Sequence, residues 1–113
     1  MTIEVRRRRD LRALRTSLGL SQEGLARVLD VSGRTVERWE AGTNPASEAT
    51  RRVLDQLDEI AVLGREVYED DLPRFMNTPR RSLGRRSPAS ALMRGELREV
   101  LSALAQAAEG QWA

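Results

Sequence analysis

Hydrophobic residues recur at helical spacing in successive windows along the chain, with glycine or clusters of polar residues between the windows. Leu11, Leu14 and Leu18 mark a first helix over roughly residues 4–18, with Gly19 placed to end it. Leu25, Ala26, Val28 and Leu29 form the apolar face of a second helix, and Ser21 stands where its hydroxyl can cap that helix. Asp30-Val31-Ser32 breaks the pattern. Ser32 can then cap a third helix that runs to about Glu40, with Val36 and Trp39 turned inward and Gly42 where a helix end favours positive φ. Ser47 opens a longer helix on which Val53, Leu54, Leu57, Ile60, Ala61, Val67 and Tyr68 keep one stripe to about Glu69. Gly64 lies on that stripe, where it either admits a close neighbour or breaks the helix. From Asp70 the text turns loop-rich, until Ser87 caps a short helix with Pro88 at its first position. Gly95 separates this from a last helix with Leu97, Val100, Leu101, Leu104, Ala105 and Ala108 on one face. That stripe needs a cover: another helix, another subunit or a partner.

The second and third helices are about two turns each, too short to bury a core alone, so they must cross steeply and lean on their neighbours. Such a pair is a helix-turn-helix, whose second helix enters the DNA major groove. Its outward positions are Ser32, Gly33, Arg34, Thr35, Glu37 and Arg38. Arg34 can donate two hydrogen bonds to guanine O6 and N7, with Arg38 one turn later. Gly33 has no side chain to read with and permits close approach instead. Gln22 sits at the first turn of the preceding helix, beside backbone N–H groups that suit a phosphate. Arg6-Arg7-Arg8-Arg9 oppose the dipole of a helix starting at residue 4, so phosphate contact explains them better than helix stability does. Thr43, Asn44 and Arg51 are placed to add backbone contacts, and Glu40 to pair across the motif as a surface ion pair of little energetic weight.

Composition narrows the chemistry. The chain has 113 residues, enough for one domain or two very small modules, and neither His nor Cys. Cys/His zinc sites, Ser-His-Asp triads, Cys-His nucleophiles and disulfides are therefore excluded. No convergent polar constellation points to an enzyme, and no metal or cofactor site is expected. No apolar run approaches membrane-spanning length, so a cytoplasmic protein without membrane contact is expected. Charge is blocked: 11 arginines face 7 acids over residues 1–54, 1 faces 7 over residues 55–73, and 7 face 1 over residues 74–98. Such blocks suit a nucleic-acid-facing front, an acidic connector and a second basic surface with its own partner, although solvated helix faces would also carry them.

Two resemblances sharpen this. The run Ser21, Gln22, Leu25, Ala26, Val31, Ser32, Thr35, Val36, Trp39, Glu40, Gly42 and Pro45 resembles the Xre/Cro/phage-repressor helix-turn-helix family. Asp30 stands at a turn position often held by glycine, and Gly24 where an acid is common. The resemblance implies DNA contacts from Gln22, Ser32, Gly33, Arg34, Thr35, Arg38 and Asn44. Farther on, Phe75, Met76, Thr78, Pro79, Leu83, Gly84, Arg86, Ser87, Pro88, Leu92, Gly95, Val100, Leu104, Gly110 and Trp112 resemble the C-terminal toxin-binding module of the Xre/MbcA/ParS antitoxins. Phe75 replaces the usual Trp, and Gln111 a usual aliphatic residue.

The resemblance implies an all-α fold: a lambda-repressor-like helix-turn-helix bundle over residues 1–54, a helical connector over 55–73 and a small toxin-binding module over 74–113. It also implies an antitoxin that neutralises a RES-domain, NAD-consuming toxin by setting Gly110, Gln111, Trp112 and Ala113 into the toxin's NAD pocket. A nearly terminal Trp after a glycine is the kind of aromatic anchor that fills a pocket, or else it folds back on its own helix. Arg80, Arg81, Arg85 and Arg86 form a basic loop suited to an acidic toxin surface. As a DNA-binding autorepressor the chain would act as a homodimer or a higher hetero-oligomer with its toxin. The alternative is a free-standing dimeric repressor, which would tolerate loss of the last four residues.

Overall fold

The computed structural model describes residues 10–43 and 47–110. Among them the chain forms α1 (Leu11–Ser17), α2 (Gln22–Leu29), α3 (Gly33–Glu40), α4 (Glu48–Tyr68), α5 (Leu72–Met76), α6 (Pro88–Met93) and α7 (Leu97–Gly110). Short 3₁₀ turns cover Glu69–Asp71 and Arg81–Leu83. The fold is all-α.

Local chemistry sets most of these ends. Asp10, Ser21, Ser32, Ser47 and Ser87 each accept a hydrogen bond from the backbone N–H three residues on, so five helices start at a side-chain cap. Asp30 closes α2 in the left-handed conformation at φ 58° and ψ 48°, a geometry that its short polar side chain tolerates better than most. The cap at Asp10 corrects the expected start of the first helix: α1 begins at Leu11, and Arg6–Arg9 lie outside the described residues.

One hydrophobic core runs through the molecule, and α4 is its axis. Leu54, Leu57, Ile60, Ala61 and Gly64 are buried along an unbroken helix of 21 residues, about 32 Å long. Against it pack α1, α2, α5 and, most extensively, α7. Gly64 admits a close neighbour rather than breaking the helix, since a Cβ there would lie 2.6 Å from Leu72 Cδ1. The apolar stripe of α7 is covered within the same chain, by α4 and α6. Val100 and Leu104 are wholly buried, each contributing about 1.5–3 kcal/mol, which holds a helix that would be marginal alone. Ala103 takes the inward place expected of Ala105, which is exposed. Ala103 lies three residues from Val100 and so falls nearer the centre of the buried arc.

Residues 70–86 are more ordered than a loop. Pro73 is in the first turn of α5, where its missing N–H costs nothing, and Leu72, Phe75 and Met76 are buried. The sequence reads this stretch as loop, but here Pro73 helps start a helix. This segment ties the chain's two halves together. Asn77 donates from Nδ2 to the Gly19 carbonyl at 3.1 Å and to the Pro73 carbonyl at 3.0 Å. Gly19 sits at φ 66°, and a Cβ there would be 2.4 Å from Asn77 Nδ2. The glycine that ends α1 is thus also the place where α5 presses against it. Gly24, which replaces the acid usual at that place in the helix-turn-helix pattern, is buried with Met93 Sδ 3.4 Å from where a Cβ would be. A carboxylate side chain there would push α6 away from α2.

Candidate functional site

The helix-turn-helix surface is built from the N-termini of α2 and α3. Val36 is fully buried and Trp39 packs half-buried against the core, so α3 has a fixed inner face. The opposite face is polar. Arg34 and Arg38 are both exposed, four residues apart and therefore on one side of the helix, and neither is ion-paired to another described residue. They stand as two cations able to reach a groove. Ser32 and Thr35 are committed locally: the Ser32 hydroxyl accepts from Thr35 N–H at 3.1 Å, and the two hydroxyl oxygens are 2.9 Å apart. Gly33 is half-buried beneath the carboxylate of Glu23. Asn44 lies outside the described residues.

Gln22 has a structural partner. Its Nε2 donates to Glu40 Oε1 at 2.9 Å, leaving its other amide N–H and its carbonyl oxygen for a ligand. Glu40 is the hub of a cluster under the motif. Arg15 of α1 donates from Nε to Glu40 Oε2 at 2.6 Å and from Nη2 to Oε1 at 3.3 Å, while its Nη1 reaches the Leu20 carbonyl at 3.2 Å. The two side chains are 13% and 8% exposed, so the surface pair expected from the sequence is in fact largely desolvated. The hydrogen bond from Arg15 holds the Glu40 carboxyl below the ordinary carboxylate range against the opposing effect of burial. The Gln22 hydrogen bond and the charges of Arg15 and Arg12 act in the same direction as Arg15's hydrogen bond. The arrangement pins α1, the start of α2 and the end of α3 to one point. Nothing in the local pattern singles out Arg15, because its partner is 25 residues away.

The second candidate surface is the turn over residues 80–86. Gly84 and Arg85 both adopt positive φ, 67° and 69°, and reverse the chain. Arg80 N–H then donates to the Arg86 carbonyl at 3.0 Å, and Arg85 N–H to the Arg80 carbonyl at 2.8 Å. The structure divides the four arginines. Arg86 donates from Nη2 to Glu96, which Arg94 also approaches at 3.6 Å. The Arg80 guanidinium lies 4.8 Å above the ring of Phe75, which in turn stacks on Tyr68 at 4.3 Å. Arg81 and Arg85 are exposed and unpaired among the described residues. A loop that reads as uniformly basic thus holds its own shape with two arginines and presents the other two.

α7 carries the chain to Gly110, which is exposed; Gln111, Trp112 and Ala113 lie outside the described residues. No helix among the described residues is long and apolar enough to cross a membrane.

Comparison with known proteins bears on both surfaces. A helix-turn-helix family model matches residues 11–59. The mycobacterial cidal antitoxin MbcA of Mycobacterium tuberculosis H37Rv is 33% identical over 94 residues, covering 82% of this chain and 83% of that protein. MbcA of Mycobacterium bovis matches over the same lengths at the same identity. Among solved structures, the crystal structure of the M. tuberculosis MbcT–MbcA toxin–antitoxin complex aligns with a TM-score of 0.68. That match is at 31% identity, over 89% of this chain and 92% of the other.

Proposed function

The chain belongs to the MbcA family of antitoxins, with an Xre-type helix-turn-helix domain, and on that premise we propose how it acts: its C-terminus plugs a RES-domain toxin that consumes NAD, and its α2–α3 surface binds operator DNA. That it is the antitoxin of a toxin–antitoxin pair, with a toxin as its partner, follows from the family. The observation that carries the finer reading is the course of α7. The helix is anchored by Val100 and Leu104 against α4, yet its last residue is exposed, so three further residues, one of them Trp112, follow from a fixed point at the surface. An aromatic anchor two residues beyond a packed helix loses little conformational entropy on entering a pocket. Arg81 and Arg85 add a cationic rim for an acidic toxin surface. We assign Arg34 and Arg38 to the major groove, and Gln22, Ser32, Gly33, Thr35 and Asn44 to the surrounding contacts. Binding of two half-sites requires a homodimer or an assembly with the toxin, and the expected compartment is the cytoplasm.

Cellular NAD measured during co-expression with the toxin gene tests the plug. With the intact chain NAD is expected to hold; with the chain cut before Gly110 it is expected to collapse. If NAD falls with the toxin alone yet stays level in both of these cultures, inhibition does not run through the last four residues; if it stays level with the toxin alone, the toxin does not consume NAD.

A further inference from the structure

The N-terminal turn of α3 is the part of a helix-turn-helix that meets base edges, and here its first residue is Gly33. The space into which a side chain at 33 would project is occupied from the neighbouring helix. A Cβ on Gly33 would stand 2.3 Å from Glu23 Oε2, 2.9 Å from Cδ and 3.3 Å from Oε1. Glu23 belongs to the first turn of α2, is exposed, and makes no hydrogen bond or ion pair to another described residue. The missing side chain and the overlying carboxylate form one feature.

We infer that Glu23 reads a base: its carboxylate accepts a hydrogen bond from the exocyclic amino group of a cytosine in the major groove, standing in for the side chain that Gly33 lacks. The inference rests on the proposed binding of DNA by α3. A carboxylate is acceptor-only, and on a surface that faces phosphates it is unfavourable unless it meets a donor. The donors in the major groove are cytosine N4 and adenine N6. Adenine sets its N7 acceptor beside N6, against the second carboxylate oxygen, and guanine and thymine offer acceptors there. Cytosine is the base whose edge suits an isolated carboxylate. An acid in the first turn of α2 is also favoured by the helix dipole, but the dipole does not set the carboxylate over Gly33, where the absence of a side chain gives it room. With Glu23 on cytosine and Arg34 on guanine, the two residues together recognise a G/C-bearing step through opposite hydrogen-bonding roles.

The test is selection of bound duplexes from a randomised pool by the full-length chain and by Glu23→Ala, Glu23→Gln and Gly33→Ala, with thermal melting of each to show that it folds. The wild-type pool should hold one position preferring cytosine by roughly tenfold, the size of a single base-edge contact. Glu23→Ala should flatten that position and leave the guanine preference due to Arg34 in place. Glu23→Gln should move it to adenine, whose N6 and N7 an amide matches. Gly33→Ala keeps the charge and turns the tip of the exposed Glu23 side chain aside, so it should weaken the position less than Glu23→Ala does. The inference is overturned if Glu23→Ala changes no position, or if it strengthens binding to all duplexes alike, since the carboxylate would then only repel phosphates. A wild-type chain that enriches no motif removes the premise of DNA binding, and the inference with it.

Discussion

The α3 face and the turn over residues 80–86 both present arginines, but they hold them by different means. On α3 the cations stand on one side of a regular helix whose other side, Val36 and Trp39, is packed into the core. The scaffold is apolar, so the arginines are left free. In the turn there is little apolar scaffold beyond Leu83, and two of the four arginines supply it themselves, Arg80 on Phe75 and Arg86 on Glu96. Two arginines on α3 and four in the turn therefore present the same number of unpaired cations among the described residues. What decides the difference is whether the local fold is held by hydrophobic burial or by the charged groups.

The comparison can be broken most severely at its base. Arg15→Ala removes the ion-pair partner of the Glu40 carboxylate, leaving it the Gln22 hydrogen bond, and should lower stability by about 2 kcal/mol in denaturant unfolding. Because the folded-state pKa of Glu40 is depressed, this stabilisation is present above the unfolded pKa and disappears as pH falls through the folded value. The gap between wild type and variant should therefore close in acid; a gap that stays constant with pH would show that packing, not the ion pair, was lost. Next in size, Arg34→Ala should remove about 1–3 kcal/mol of discrimination between operator and random duplex, while leaving binding to random duplex nearly unchanged. Competition binding reads this directly, and equal losses on both duplexes would move Arg34 from base reading to phosphate contact. Within the 80–86 turn, Arg86→Ala should cost about 1 kcal/mol of stability through loss of its pair with Glu96, whereas Arg81→Ala and Arg85→Ala should leave the melting curve in place and weaken toxin capture instead. If all four arginines behave alike in both measurements, the division fails. The smallest effect is expected at the joint after α4. Glu69 is held at φ 52° and ψ −126°, a region suited to glycine, and Glu69→Gly should raise stability by about 0.5 kcal/mol once the greater freedom of glycine in the unfolded chain is subtracted.

Much of this molecule was legible as sequence, because its signals are local. A serine three residues ahead of the N–H it caps, apolar side chains at spacings of three and four, and a glycine after the last turn all act within one helical turn. Ser21, Ser32, Ser47 and Ser87 cap as their positions imply, and α4 follows its stripe. The helix-turn-helix and its outward arginines follow from the same short-range rules. Periodicity and the Ser87 cap also place α6 and α7, and leave residues 70–86 as loop. Pro73 shows the limit, since its stretch reads as loop until the buried Leu72, Phe75 and Met76 around it are seen to make a helix.

Tertiary structure alone decided which groups meet across distance. Arg15 finds Glu40 across 25 residues, Asn77 reaches the Gly19 carbonyl across 58, and Glu23 lies over Gly33 because α2 and α3 pack against each other. None of these pairs leaves a periodic trace, since each depends on how finished helices dock. Spacing along the chain determines where a helix is and which way its faces turn. Which arginine supports the fold and which remains free is settled only when those faces close on one another, because a charge is held by whatever oxygen or ring the packing brings within a few ångströms.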